Sequence, residues 1–381
     1  MFASSQSDSD GTLILGHEDI ARLVSGVGCD RVMDEMIDRL ESAFRQFRDE
    51  EWELPPRDGF HYRGSEFGLL EWMPVMRRGE RILLKLVGYH PENPTRRNLS
   101  TIQSLLAVFS TRTGAAEAVL DGELLTAVRT GAASAIATRL LAPLKSDVLG
   151  VIGAGAQSIT QTHGISRVLP LREILVHDIC PKTEATFAGR IGAILGEKIS
   201  VKVVPKTELI LQSDVLSVAT SIDPGHGPVF DAALRHKSSL HINAVGSDFE
   251  GKVEIPKNWL EQAYVSPDFL AQAVREGECQ QLEACQIGES LPQLVCTPQL
   301  GNAVRDRLTV FDSTGFAFED FVAVDWVLAQ AESRQVGRHF VFGRVGEDPK
   351  NPYGGLPKNG EFIPDLQRVG EEVVSLFGAT H

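Results

Sequence analysis

Residues 148–158, VLGVIGAGAQS, decide the fold of this chain, because a short apolar segment there runs directly into a glycine-rich turn. In dinucleotide-binding folds the first glycine permits a tight turn, and the second lets the backbone approach a pyrophosphate at the start of the next helix. Gly153 and Gly155 occupy those positions, and Ser158 stands at the third, where Gly or Ala is usual. The motif alone fits an ordinary strand-to-helix turn equally well, so its surroundings have to decide.

The residues that follow favour a dinucleotide site. Segment EILVHD (173–178) is apolar like a second strand, and it ends in Asp178, about 20 residues past the glycines. In dinucleotide-binding folds an acid at this position accepts hydrogen bonds from the adenosine ribose. Such an acid also repels a 2′-phosphate, so the sequence favours NAD over NADP, although Arg172 and Lys182 leave some use of NADP open. The alternative is that Asp178 merely ends a strand.

Apolar segments and helical patterns alternate around the glycine motif, as in a parallel βαβ unit. We therefore predict an α/β fold with a Rossmann-type dinucleotide-binding domain over 141–315. Helices are predicted over 157–168 and 182–195, and strands over 148–152, 173–178, 200–204, 215–220, 239–245, 262–266 and 308–311.

The sequence outside 141–315 has a different hydrophobic pattern. Its short apolar segments are separated by turn-like stretches, and this pattern predicts an antiparallel sheet. We predict that 13–140 and 316–381 form a second, discontinuous α+β domain, and that 1–12 is a disordered tail. The strands are expected at 67–73, 81–87, 102–110 and 116–120, and the helices over 33–47, 124–142, 318–333 and 365–377.

Composition limits the classes of function. The 381 residues are 43% apolar and 23% charged, which supplies a core for more than one domain. A net charge of −14 repels phosphate backbones and anionic lipid, so we expect neither nucleic acid nor membrane as a partner. Five scattered cysteines without C-x-x-C spacing favour a reducing cytoplasm. We find no metal-ligand spacing among the histidines, no nucleophile elbow and no P-loop, so no metal site, hydrolase or kinase is predicted.

Charges interrupt two predicted strands on their apolar faces. Lys85 shares its face with Leu83 and Val87, and Glu71 has a similar setting in GLLEWMP. Burying an unpaired charge is costly, so such residues are usually paired, solvated in a cavity or functional. The alternative is that these charges lie on an edge strand with one face exposed to solvent.

Two more charges lie at the predicted ends of elements. Arg129 precedes the small-residue helical stretch that begins Thr130-Gly131, so its guanidinium and helix N-terminal amides could together hold a carboxylate. Asp248 follows the predicted strand SLHINAV, at the edge of a parallel sheet where doubly wound folds bind ligands, and Gly246 would let the backbone approach the nicotinamide. The alternatives are a surface arginine and a turn-forming aspartate.

Four longer motifs carry a family resemblance: RTGAASAIATRLLA (129–142), VIGAGAQS (151–158), HINAVGSDFEGKVEI (241–255) and VFDSTGFAFED (310–320). In this order and spacing the chain resembles the ornithine cyclodeaminase and mu-crystallin family from about His17 to Ser333. The stretches GYHPENP, REGECQQL, DSTGFAFED and NPYGGLP make it most similar to the lysine cyclodeaminase branch.

The resemblance implies a substrate-binding and dimerisation domain, a Rossmann domain that binds NAD, and a homodimer. The family's carboxylate-binding cations match Arg57, with Arg63 as its rival, Lys85 and Arg129; its polar residue that orders substrate or water matches Glu71, and its acid/base aspartate matches Asp248. Asp248, Glu71 and Lys85 are therefore the expected catalytic residues. The expected cofactor-binding residues are Gly153, Gly155, Ala156, Gln157, Ser158, Asp178, Thr130, Thr220, Ser313 and Gly315.

The implied chemistry is a redox-neutral cyclisation that converts L-lysine to L-pipecolate, or L-ornithine to L-proline, with release of ammonia. A tethered amine attacks fast because its effective molarity is high. One alternative is a ketimine reductase or amino-acid dehydrogenase on the same scaffold. The other is a non-catalytic protein that binds NAD(P)H or a small ligand, like mu-crystallin. The presence of Lys85, Arg129 and Asp248 together disfavours this second alternative.

Overall fold

The computed structural model describes residues 11–63, 67–196, 199–342, 348–351 and 353. Residues Thr12–His339 form one compact unit, which contains all the sites discussed below. Met1–Gly11 and Phe340–His381 make up the other unit. The predicted tail up to residue 10 and the predicted helix at 365–377 lie outside the described residues.

Two sheets and the helices around them make up the unit. The elements before residue 145 are β1 (Thr12–Leu15), α1 (His17–Val27), α2 (Cys29–Gln46), β2 (Trp52–Glu53), β3 (Asp58–Arg63), β4 (Phe67–Arg77), β5 (Arg81–Tyr89), α3 (Asn93–Arg96), β6 (Ile102–Ser110), β7 (Ala116–Asp121) and α4 (Glu123–Leu141). The elements after it are β8 (Val148–Ile152), α5 (Ala156–Val168), β9 (Glu173–His177), α6 (Pro181–Leu195), β10 (Ser200–Val203), α7 (Lys206–Gln212), β11 (Val215–Val218), β12 (Leu240–Ala244), α8 (Lys257–Leu260), β13 (Tyr264–Pro267), α9 (Leu270–Glu276), α10 (Leu291–Cys296), α11 (Pro298–Asn302), β14 (Leu308–Asp312), α12 (Ala317–Arg334) and β15 (Arg338–Phe340). Among the described residues, no helix is both long enough and apolar enough to cross a bilayer.

The first sheet has the predicted antiparallel core. Strands β7, β6, β5 and β4 are antiparallel neighbours in that order, β4 also pairs with β2 and β3, and β1 pairs parallel with β7. Thr12, the last residue of the predicted tail, begins β1, and its hydroxyl donates a 2.7 Å hydrogen bond to the Ala116 carbonyl. Lys85 pairs with Met73 on one side and Leu106 on the other, which excludes the edge-strand alternative for this residue.

The second sheet is the predicted parallel one. Its seven strands run β10-β9-β8-β11-β12-β14-β13, and every pairing is parallel. The chain moves outward from β8 to β10 and then returns to place β11 on the other side of β8. This reversal is the switch point of a doubly wound fold, where ligands bind beyond the carboxyl ends of the strands. The domain boundaries at 140 and 316 stay a prediction.

Glycines allow α4 and α5 to approach closely. A Cβ on Gly131 would lie 2.4 Å from the Thr160 carbonyl oxygen, and a Cβ on Gly164 would lie 2.4 Å from the Gly131 carbonyl oxygen. Every residue of α4 from Val128 to Thr138 is buried, which explains its alanine-rich composition. This contact fixes the helix of the glycine motif against the helix that carries Arg129.

We expect Gly131→Ala to lower the free energy of unfolding by about 1 to 3 kcal/mol, because the added methyl overpacks the contact with the Thr160 backbone. Gly189→Ala in α6 is the matched control. A Cβ there meets nothing within 4 Å, so this variant should gain up to about 1 kcal/mol. Chemical denaturation measures both variants, and a Gly131→Ala protein as stable as wild type would show that the two helices separate at little cost.

Candidate active site

One cavity in the described part of the chain collects the five charged residues predicted for the site: Arg57, Glu71, Lys85, Arg129 and Asp248. Its apolar wall comes mainly from the antiparallel sheet and its border, through Phe67, Leu69, Met73, Val87, Tyr89 and Ile102. The opposite side is the carboxyl edge of the parallel sheet, where Asp248 follows β12 and Gly315 follows β14. The antiparallel sheet thus supplies the apolar wall of the cavity, and the edge of the parallel sheet supplies Asp248 and Gly315.

Lys85 and Arg129 lie in a buried ion cluster with the first turn of α12. Lys85 Nζ donates to Asp320 Oδ1 at 3.0 Å, and Arg129 Nε donates to the same oxygen at 3.1 Å. Arg129 Nη1 also donates to Glu319 Oε2 at 2.9 Å. Burial lowers the pKa of Lys85 to about 8 and raises the pKa of Glu319 to about 8. Burial also acts to raise the pKa of Asp320, but Arg129 and Lys85 bring it below its usual value.

The predicted setting of Arg129 is wrong in one respect. Helix α4 begins at Glu123, so Arg129 lies inside the helix, and the amides of Thr130 and Gly131 belong to its interior. The stretch from Leu124 to Val128 contains no helix breaker, and it therefore continues the helix toward its N-terminus. The guanidinium finds its partners on α12, and helix N-terminal amides do not assist it.

Arg57 connects the start of β3 to the carboxyl edge of the parallel sheet. Its Nε lies 2.8 Å from Glu276 Oε2, and its Nη1 lies 3.7 Å from Glu71 Oε2. Nη1 also donates to the Asp248 carbonyl at 3.4 Å, and Nη2 donates to the Thr314 carbonyl. Arg57 thus occupies the predicted position in the cavity, whereas the side chain of its rival Arg63 lies outside the described part of the chain.

Glu276 is a member of this group that the sequence did not single out as a site residue. It ends α9 within the stretch REGECQQL, and only 9% of the residue is exposed. Burial raises the pKa of Glu276 to about 7, and burial also raises the pKa of Glu71. The single available signal was the REGECQQL stretch itself, which carries no periodicity that would place the acid beside Arg57.

Asp248 faces a second unpredicted partner, Lys252. Lys252 Nζ lies 2.8 Å from Asp248 Oδ1 and 4.5 Å from the centroid of the Tyr89 ring. The Lys252 side chain is 5% exposed, whereas that of Asp248 is 36% exposed. The i, i+4 spacing in HINAVGSDFEGKVEI was visible in the sequence, but the two residues are not on a helix, so the spacing predicted no contact.

The glycine motif has the geometry that a dinucleotide needs. Gly153 has φ +87°, and a Cβ there would lie 2.6 Å from the Ala219 carbonyl oxygen, so both conformation and space require glycine. Gly155 immediately precedes α5, and a Cβ on it would meet nothing within 4 Å. The amides of the first turn have no partner inside a helix and suit a phosphate. That turn contains the remaining motif residues Ala156, Gln157 and Ser158.

Asp178 links the glycine turn to the end of β9. Its Oδ2 accepts a hydrogen bond from the Ala154 amide at 2.7 Å, and its Oδ1 accepts one from the Cys180 amide at 2.7 Å. Each carboxylate oxygen has a second lone pair, so acceptance from ribose hydroxyls is compatible with both bonds. The site residues therefore fit NAD.

The other predicted cofactor residues lie in α4 and just after β11 and β14. Thr130 is in α4, and its hydroxyl donates to the Thr126 carbonyl at 2.8 Å. Thr220 follows β11, and both its amide and its hydroxyl donate to Glu254 Oε1 at 2.7 Å. Ser313 and Gly315 follow β14 at the same edge of the sheet. The roles of all ten cofactor residues stay predictions.

We expect Asp178→Ala to weaken NAD binding by about 10- to 100-fold, the cost of losing hydrogen bonds to a charged group. NADP should lose less affinity, because the negative charge that repels a 2′-phosphate is gone. Calorimetric titrations with both dinucleotides measure the change. Glu261→Ala, which removes an exposed ion pair with Lys257, is the control, and an unchanged NAD affinity in Asp178→Ala would mean that the acid only ends a strand.

Comparison with known proteins agrees with this geometry. Residues 17–335 match the sequence profile of the ornithine cyclodeaminase/mu-crystallin family. The chain is 40% identical to an L-lysine cyclodeaminase of Streptomyces rapamycinicus over 343 residues, which are 90% of this chain and 99% of that protein.

Two solved structures are also similar. A lysine cyclodeaminase whose structure explains recognition of L-lysine, L-ornithine and L-2,4-diaminobutyric acid superimposes with a TM-score of 0.86 at 43% identity, covering 90% of this chain and 99% of that one. An archaeal alanine dehydrogenase dimer with bound NAD gives a TM-score of 0.74 at 31% identity, covering 87% and 99%. This chain therefore belongs to the ornithine cyclodeaminase/mu-crystallin family.

Proposed function

We propose that this protein is an NAD-dependent cyclodeaminase that converts an L-diamino acid to a cyclic amino acid and ammonia, L-lysine to L-pipecolate or L-ornithine to L-proline. The observation that carries the proposal is the convergence of Arg57, Lys85, Arg129 and Asp248 on one cavity at the edge of a dinucleotide-binding sheet. A non-catalytic binder has little need of this combination of three cations and an acid.

The cations have the chemistry to hold the substrate's carboxylate. Lys85 reaches the cavity from β5, Arg129 reaches it from α4, and Arg57 reaches it from the loop that ends at β3. Guanidinium and ammonium groups bind carboxylates through charge-assisted hydrogen bonds, which fix orientation as well as position. An orientation fixed in this way holds Cα for reaction and keeps the side-chain amine within the same enclosure.

The proton transfers are assigned to Asp248. Removal of a proton from a substrate ammonium gives the neutral amine that the reaction requires, and return of a proton accompanies the departure of ammonia. Lys252 holds Oδ1 of this carboxylate at 2.8 Å, so the acid has a defined position before substrate binds. Glu71, at the same cavity, is the proposed group that orders substrate or water.

The cofactor assigned to the glycine motif is NAD, held by Gly153, Gly155, the first turn of α5 and Asp178. When bound, it supplies reversible hydride transfer at the substrate Cα, so the overall reaction needs no external oxidant or reductant. The chain's part is to place the substrate carboxylate and to exclude water with the apolar wall of the cavity.

Lysine is favoured over ornithine by the apolar wall and by the relatives. Leu69, Met73, Val87 and Ile102 offer a surface for a four-carbon side chain, and the 40% identical relative is an L-lysine cyclodeaminase. One methylene changes binding by about 1 to 3 kcal/mol, so both substrates are expected to react and to differ in kcat/KM.

To test this proposal, the protein is incubated with L-lysine or L-ornithine and about one NAD per hundred substrate molecules. A cyclodeaminase releases ammonia and cyclic amino acid in equal amounts without accumulating NADH. An amino-acid dehydrogenase stops after one turnover per NAD, and a ketimine reductase needs a cyclic imine and added NADH. A protein that binds NAD and shows none of these reactions would contradict the proposal.

We also propose a homodimer that forms through the outer face of the antiparallel sheet. Phe60, Leu70 and Leu105 are 65%, 39% and 44% exposed on the face opposite Glu71 and Lys85. Analytical ultracentrifugation of wild type and Leu105→Glu tests this, with a shift of the variant to monomer expected.

A cytoplasmic location is proposed as well, and the five unpaired cysteines support it.

A further inference from the structure

Two buried acids at the start of α12 contact the cations of the proposed site without having a role in the proposed reaction. We propose that one of them, Asp320, is a positioning residue that holds Lys85 and Arg129 side by side and charged, ready for the carboxylate of the substrate. The inference rests on the proposed function for the identity of that carboxylate.

A single oxygen joins the two cations. Asp320 Oδ1 accepts from Lys85 Nζ at 3.0 Å and from Arg129 Nε at 3.1 Å, and the two donors come from β5 and α4. Two like charges that meet in a buried place repel each other, so they stay together only if an anion lies between them. Asp320 is 1% exposed and is that anion.

The second oxygen of Asp320 is unlike that of an ordinary structural ion pair. Within the described residues, Oδ2 is buried and has no hydrogen-bond partner, and the same holds for Glu319 Oε1. Buried polar atoms are normally satisfied by protein groups, ordered water or a ligand, so these two oxygens are free to accept a hydrogen bond from a bound molecule.

The charges in the cluster leave room for one more anion. Lys85 and Arg129 contribute +2, and Asp320 contributes −1. Burial raises the pKa of Glu319 to about 8, so at neutral pH it is mainly protonated, and the cluster carries a net charge of +1. Asp268 also attracts Arg129, but its carboxylate accepts from the Gly315 amide at 2.8 Å and not from either cation, so this count covers only the four residues joined by hydrogen bonds. The carboxylate of a substrate would bring this cluster to neutrality.

Asp320 also keeps Lys85 charged. Burial, Arg129 and Arg57 together bring the pKa of Lys85 down to about 8, although the charge and hydrogen bond of Asp320 act to raise it. Without the Asp320 charge the pKa of Lys85 must fall again. A lysine is charged below its pKa. The loss of the Asp320 charge should therefore weaken carboxylate binding least at low pH, where Lys85 is charged in both proteins. It should weaken binding most between the pKa of Lys85 in the variant and about 8, where only the wild-type Lys85 is charged.

The experiment measures binding of L-pipecolate to the NAD-loaded enzyme by calorimetry, for wild type and Asp320→Asn, at several pH values from 6 to 8. We expect the variant to bind at least about tenfold more weakly near pH 7.5, as for loss of a charge-assisted contact. The ratio of the two dissociation constants should shrink at least about threefold by pH 6. L-Pipecolamide, which lacks the negative charge, should show a change of less than about threefold.

Asp325→Asn is the matched control. Asp325 lies on the same helix and pairs with Arg81 at 2.9 Å, and neither residue lines the cavity. Melting temperatures of both variants report folding. If Asp320→Asn does not fold, Asp320→Glu takes its place: it keeps the charge but moves the oxygen that joins the two cations, so it should bind L-pipecolate at least about threefold more weakly at every pH, and wild-type affinity in this variant would overturn the inference. Wild-type affinity in Asp320→Asn, an equal loss for the amide, or a constant ratio across pH would overturn the inference. Wild-type binding of L-pipecolate without turnover of either diamino acid would contradict the proposed function alone.

Discussion

Asp248→Asn is expected to abolish cyclisation, with kcat lower by about 10³-fold, while the dissociation constant for NAD stays within about threefold of wild type. Asparagine has nearly the same shape as aspartate, but it cannot take up and return a proton at neutral pH. Asp248 lines the cavity and does not belong to the glycine turn that is assigned to NAD. Ammonia release under saturating L-lysine and calorimetric titration with NAD measure the two quantities.

A second effect of the same substitution has to be separated from catalysis. Lys252 is 5% exposed and pairs with Asp248, so the variant leaves a buried ammonium without its nearest counter-charge. Glu250→Gln is the control, because it removes an exposed acid two residues away. A variant that folds, binds NAD and still cyclises near the wild-type rate would remove Asp248 from the mechanism.

The parts of the site that the sequence predicted are those with local signals. Gly153 and Gly155 are separated by one residue, and the strand that ends before Asp178 has an obvious apolar texture. Lys85 was singled out because a charge on an apolar strand face needs a partner or a cavity, and the structure provides both. In each instance a short stretch contained the whole pattern.

The partners of those residues could not be predicted, because they are distant along the chain. Lys85 and Asp320 are 235 residues apart, and Arg57, just before β3, meets Glu276 at the end of α9. No periodicity records which charges a fold brings together. The motif VFDSTGFAFED was identified as shared with relatives, yet its two final acids carried no local signal of the cations that they meet.

The same limit applies to the fold. The antiparallel strands and the alternation in the parallel sheet follow from hydrophobic pattern and turns, and both were predicted. Strand β1 has only four residues and pairs parallel with β7, about a hundred residues later, which no hairpin pattern reveals. The helix α4 was placed correctly, but its small-residue stretch suggested a start at Thr130, because apolar residues before it gave no cap signal.

Arg129→Lys is expected to lower kcat/KM for L-lysine by about 100-fold, mainly through a higher KM, although it preserves the charge. The guanidinium contacts Asp320 with Nε and Glu319 with Nη1 at the same time, and it still presents atoms to the cavity. An ammonium is a single point of charge on a shorter group, so it cannot keep two acids and a carboxylate in the same geometry.

The control for this substitution lies on the same helix. Arg139→Lys changes a 39% exposed arginine that pairs with Glu41, and exposed pairs contribute little, so its kcat/KM should stay within about twofold of wild type. NAD affinity should be unchanged in both variants, because no residue of the glycine turn is touched. An Arg129→Lys enzyme with a wild-type KM would show that charge alone holds the carboxylate. The fork geometry of Arg129 would then serve only its contacts with α12, and Lys85 would be the residue that orients the substrate.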